Sequence, residues 1–163
     1  MYEGGLQERW ETPFSAAQSL VVVSIVDAGP LVITLEDARH PSRLRYRVTF
    51  EAAPLYRNIW EEYRTSEGAS PIGSWSLLVR ESGWLRLMRA REPLLDVHSP
   101  GLDHYQIITE DDVLDILSNT PPEVEELGPA PVGAPAAGKS RVLYHPEDRE
   151  EIDRLIAEIN RGK

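Results

Sequence analysis

Two short stretches hold residue types able to do chemistry. In DVHSPGLDHY, residues 96–105, His98, Asp103 and His104 stand close together. Imidazole and carboxylate are ordinary ligands for zinc or another divalent ion, and a histidine beside an aspartate can serve as a general base. The spacing fits no helical ligand motif, however, and if His104 opens a strand its ring leaves the chain on the face opposite Asp103. One ligand of the three is then lost, so these residues are weak metal candidates, and surface-loop histidines are the more economical reading. The second stretch, GAPAAGKS at residues 133–140, satisfies the phosphate-loop pattern G-x-x-x-x-G-K-[ST]. Such a loop works when a strand delivers it and a helix begins at its Lys and Ser, turning backbone N–H groups toward phosphate. Pro129 and Pro131 oppose a central strand before it, and Pro146 forbids a long helix after it. The expectation is a chance match in a linker, with no nucleotide and no cofactor.

Other charged clusters have simpler uses. Arg43, Arg45 and Arg47 alternate with Leu44, Tyr46 and Val48 in RLRYRVTFE, which would place a basic row on one strand face. Forked guanidinium donors there suit an anion, but pairing with carboxylates on neighbouring strands is the commoner use. Glu110, Asp111, Asp112 and Asp115 lack the alternating spacing and central glycine of a calcium loop. Neither a Gly-x-Ser-x-Gly elbow nor a His-Glu-x-x-His helix occurs. No catalytic residue is assigned.

Composition narrows the classes further. The chain has 163 residues, a net charge of -10 and no cysteine, so disulfides, thiolate zinc sites and thiol nucleophiles are out and a cytoplasmic setting is the default expectation. No basic region leads into an apolar run at the N-terminus, and SLVVVSIV is far shorter than a bilayer span, so no membrane partner is expected. The charge is segregated. Residues 39–91 hold ten Arg against five Glu, whereas residues 92–126 hold ten carboxylates and no Lys or Arg. An acidic surface of that kind repels nucleic acid and attracts basic proteins.

The elements that must position these groups follow from periodicity. Leu20 to Val26 and LVITLE read as a hairpin across DAGP, and RLRYRVTFE as the next strand. PLYRNIWEEYR, ambiguous between helix and strand, is read as a strand, and Trp75 to Arg80 as another. Ser82 is the expected N-cap of a short helix GWLRLMRAR, with Trp84, Leu85 and Met88 inward and Arg86 and Arg89 outward. HYQIITEDDVLDILS admits a helix capped by Thr109 and Asp112, but short apolar runs around an acidic junction favour paired strands.

The expected fold is therefore α+β and β-rich: six or seven mostly antiparallel strands, barrel- or sandwich-like, with one short packing helix. Residues 1–120 form the globular domain, and residues 121–144, rich in Pro, Gly and Ala, a linker. Residues 145–163 form an amphipathic helix whose Ile152, Leu155, Ile156 and Ile159 make a docking stripe, for its own body or for a homodimer. The leading functional expectation is a non-catalytic protein-binding module, such as an immunity or inhibitor protein facing a basic toxin or nuclease. Asp103, Glu110, Asp111, Asp112, Asp115 and Glu123 are its expected partner-binding residues. The alternatives are a small-ligand protein or a metal or acid–base enzyme with a pocket around His104, and a cargo or scaffold component docking through its tail helix.

Overall fold

A computed structural model describes residues 6–60, 74–137 and 142–144. In chain order they form β1 (Leu6–Arg9), β2 (Leu20–Asp27), β3 (Leu31–Asp37), β4 (Leu44–Phe50), β5 (Leu55–Trp60) and β6 (Ser76–Arg80). After β6 come α1 (Gly83–Arg91), α2 (Leu95–His98), β7 (Asp103–Ile108), β8 (Asp112–Ser118), β9 (Glu123–Pro129) and β10 (Val142–Tyr144). The strands build two sheets, ordered β1-β6-β7-β8-β5 and β10-β2-β3-β4-β9. Every pairing is antiparallel except β10 beside β2. The fold is β-rich, and no helix among the described residues is long and apolar enough to cross a membrane.

The alternation that marks each strand also builds the core. Leu31, Ile33 and Leu35 of β3 and Tyr46, Val48 and Phe50 of β4 are buried, and they share one apolar cluster with Tyr105 and Ile107 of β7 and Leu114 and Ile116 of β8. Two aromatic side chains from the segment between β1 and β2 close the cluster. Trp10 meets Tyr105 edge-on at 5.3 Å between ring centroids, and Phe14 meets Tyr46 at 5.8 Å. The other face of the first sheet is covered by α1, whose Trp84 and Leu85 pack with Leu102, just before β7, and Leu117 of β8. Covered on both faces, β8 is buried along its whole length.

Gly29 turns the chain between β2 and β3 at φ 97°, a conformation that side chains rarely adopt. Between β7 and β8, Thr109 N–H donates to the Asp112 carbonyl while Asp112 N–H donates to Thr109 Oγ1. The Thr109 and Asp112 pair thus closes a hairpin rather than capping a helix. The short helix α1 has the expected bounds, with Ser82 as its N-cap.

Three strands exceed the six or seven expected from sequence. β1 and β9 have mostly exposed side chains, so their apolar alternation is weak, and both lie at sheet edges. β9 also corrects the reading of residues 121–144 as linker: Glu123 to Pro129 pair with β4, and Val124 packs against the core. Proline does not interfere, because Pro129 is the last residue of an edge strand. Residues 142–144 add a further strand to the same sheet.

Candidate functional site

Register on the first sheet assembles a polar cluster that no single stretch of sequence contains. Gln106 of β7 stands directly opposite Asp115 of β8, and Asp115 stands directly opposite Arg57 of β5. His104, two residues before Gln106, projects from the same face of β7, the face covered by α1. All these polar groups lie between a sheet and a helix, so each must be paired.

The pairing is dense. Asp115 Oδ1 accepts hydrogen bonds from His104 Nε2 at 2.8 Å and Gln106 Nε2 at 2.9 Å, and Oδ2 accepts from Arg57 Nε at 2.8 Å. His104 Nδ1 lies 2.8 Å from Ser82 Oγ, which also accepts the Leu85 N–H at 3.0 Å as the N-cap of α1. The Arg57 guanidinium stacks over Trp84, 4.5 Å from the ring centroid, and Trp84 meets the His104 ring edge-on at 5.3 Å. His104 is 5 % exposed and Asp115 2 %. Burial pushes the Asp115 carboxyl upward, but the His104 hydrogen bond, the charge of the His104 ring in its protonated form, the Arg57 charge and the Gln106 bond outweigh it and hold the carboxyl below the usual range.

That ionised carboxylate can only accept, which fixes the proton of His104 on Nε2 in the neutral ring. Nδ1 is then the acceptor for the Ser82 hydroxyl, giving a directed chain from Ser82 through His104 to Asp115. The chain meets solvent at one end. A pocket of about 370 Å³ is lined by Ser82, His104, Leu85, Arg80, Arg86 and Arg89 among others. Immediately before Ser82, Glu81 takes φ 53°, so the turn from β6 into α1 is strained at a non-glycine residue.

The residues singled out in sequence fare unevenly. His104 lies at this site, but His98 is exposed at the end of α2 and Asp103 points away, 3.4 Å from Arg80. The weak metal set of His98, Asp103 and His104 therefore does not come together, and among the described residues no three His, Asp or Glu side chains are gathered to hold a metal. Asp112 and Asp115 are buried at 1 % and 2 % exposure, which removes both from any exposed acidic face. Their positions on β8 are the cause, since that strand has neither face open. Glu110 and Glu123 are exposed and Asp111 is half-buried. The tail stripe of Ile152, Leu155, Ile156 and Ile159 lies outside the described residues.

The arginine row is used for pairing. Arg43 Nε and Arg45 Nε donate to the two oxygens of buried Glu36 at 2.8 and 2.9 Å, and Arg47 meets Glu125 at 3.2 Å. In the phosphate-like stretch a strand does precede Gly133, but Arg43 collects the carbonyls of Ala134 and Pro135 at 2.8 and 2.7 Å. That part of the loop turns acceptors toward a cation, the opposite of a phosphate cradle. Residues 138–140 of the stretch lie outside the described residues.

Sequence reasoning found Ser82 only as a cap and did not find Gln106 or the role of Arg57. One signal was available: an aspartate inside the apolar run VLDIL must be buried with partners. Compared with protein-family models, curated proteins and solved structures, the chain finds no match.

Proposed function

We propose that this chain binds a small anionic molecule in the pocket beside His104, with Arg86 and Arg89 supplying charge and the Ser82 and His104 pair supplying directed hydrogen bonds. The observation that carries this reading is the pocket itself: about 370 Å³, with three arginines against the two carboxylates of Glu81 and Asp103, and with its buried end formed by an ordered polar network. That volume suits a small ligand, and groups held in place before binding lose little freedom on binding. The test is calorimetric titration with succinate and with phenyl phosphate, comparing wild type with Arg89→Glu. Arg89 is exposed and pairs with Asp96, so its reversal changes the charge at the pocket without touching the core. Saturable binding weakened at least tenfold in the variant is expected, and the absence of saturable binding by wild type contradicts the reading.

A second reading, a protein-binding module of the immunity or inhibitor kind acting in the cytoplasm on a basic partner, is supported by the exposed carboxylates Glu123, Glu125 and Glu126 on edge strand β9. Glu110 adds to that surface; Asp112 and Asp115 do not. The core cluster common to the two sheets supports a sandwich arrangement under either reading.

A further inference from the structure

We propose that Ser82 is an acyl-transfer nucleophile, with His104 as its base and Asp115 as the residue that orients His104, acting on small carboxylic esters whose acyl part carries a negative charge. The inference rests on the ligand-binding reading of the same pocket and adds a reaction to it.

Three independent observations meet at Ser82. The first is the hydrogen-bonded chain, with both links at 2.8 Å and all three side chains buried. A serine hydroxyl is a weak nucleophile unless an adjacent base takes its proton, and that base needs a third group to fix its tautomer. Asp115 is itself fixed by Arg57 and Gln106, so the carboxylate cannot turn away from the ring. The second is the local backbone. Ser82 stands between β6 and α1 after the strained Glu81, and a sharp strand-to-helix turn is a way of bringing a hydroxyl to the end of a sheet. The third is the pocket, which is lined by both Ser82 and His104 and by three arginines against two carboxylates, Glu81 and Asp103, a positive balance that favours an anionic substrate. The Leu85 N–H takes one lone pair of Ser82 Oγ, which leaves the other for attack.

The steps balance as an ester hydrolysis. Ser82 Oγ bonds to the carbonyl carbon as its proton passes to His104 Nδ1. The carbon–oxygen bond to the alcohol then breaks, and the departing oxygen takes that proton. Water next attacks the acyl carbon, giving a proton to His104. The bond to Ser82 Oγ breaks, the hydroxyl is restored from His104, and a carboxylic acid leaves.

The probes are mono-4-nitrophenyl succinate and 4-nitrophenyl butyrate, esters of equal acyl length that differ in charge. Nitrophenol release and the intact mass of the whole chain are recorded at early times, beside a titration with succinate. Turnover is expected, with an acyl adduct localised to Ser82 and kcat/KM at least tenfold higher for the charged ester. Ser82→Asn keeps a competent helix cap and is expected to fold, with the thermal midpoint of wild type to within a few degrees, and to form no adduct. An adduct that persists in Ser82→Asn, or equal rates for the two esters, overturns the proposal. Succinate binding without adduct or turnover overturns the nucleophile and leaves the binding reading standing; neither binding nor turnover overturns both.

Discussion

Asp115 is where the residue scale decides most, because a carboxylate 2 % exposed is stable as an ion only while His104, Arg57 and Gln106 stay in place. Removing the charge from a buried pair leaves its partner uncompensated, so Asp115→Asn is expected to lower unfolding free energy at neutral pH by about 3 kcal/mol, measured by denaturant titration. A loss under about 0.5 kcal/mol, the size of a typical surface substitution, contradicts this. The pH dependence has a definite sign. The folded carboxyl lies below its unfolded value, so between the two the unfolded chain binds the extra proton. The stabilisation is fully present above the unfolded value of about 3.9 and is lost as pH falls through the folded one. Thermal midpoints of wild type should therefore fall more steeply in acid than those of Asp115→Asn; parallel acid limbs would show that Asp115 is not the linked group. Ser82 had a sequence signature as a cap, whereas its bond to His104 had none. That bond depends on where β7 lies relative to the turn before α1, and local periodicity carries no such information.

At the scale of elements, legibility follows exposure. The β2–β3 hairpin, β4 and α1 could be read because one face of each meets the core and the apolar spacing records it. The β7–β8 hairpin was a closer choice, since β8 is buried on both faces and its spacing favours neither period strongly. β1 and β9 were missed because an edge strand with exposed side chains is held by backbone hydrogen bonds, which leave little mark on the sequence. The row Gln106, Asp115 and Arg57 was hidden for a related reason: its members come from three strands, and register joins them. The strand status of β9 has a direct consequence. A chain ending at Thr120 should be less stable than one ending at Ala137 by on the order of 1–2 kcal/mol, from the lost burial of Val124 and lost pairing along β4. It should also aggregate more readily, because β4 becomes an exposed edge. Equal denaturation midpoints for the two chains would mean that β9 adds nothing to the sheet.

For the whole molecule, charge and architecture point the same way. The net charge is -10, and the arginines of the basic middle are largely spent on carboxylates: Arg43 and Arg45 on Glu36, Arg47 on Glu125, Arg57 on Asp115, and Arg80 on Glu8 and Asp103. Cationic contacts with a phosphate backbone are correspondingly few, so the protein is expected not to retard duplex DNA in a gel even at low salt, and a shifted band at micromolar protein would contradict that. Under the proposed reading the anions it binds are small ones that enter the pocket at the end of the Ser82, His104 and Asp115 chain. In a directed chain the histidine proton lies on the aspartate side and the other ring nitrogen accepts from the Ser82 hydroxyl at the pocket. Long-range proton–nitrogen correlation of the His104 ring reads this directly, at a pH where the ring is neutral and with succinate added stepwise. The expected result is the Nε2–H tautomer and an Nδ1 resonance that moves saturably with succinate. A proton on Nδ1, or a ring whose signals ignore the anion, would contradict it.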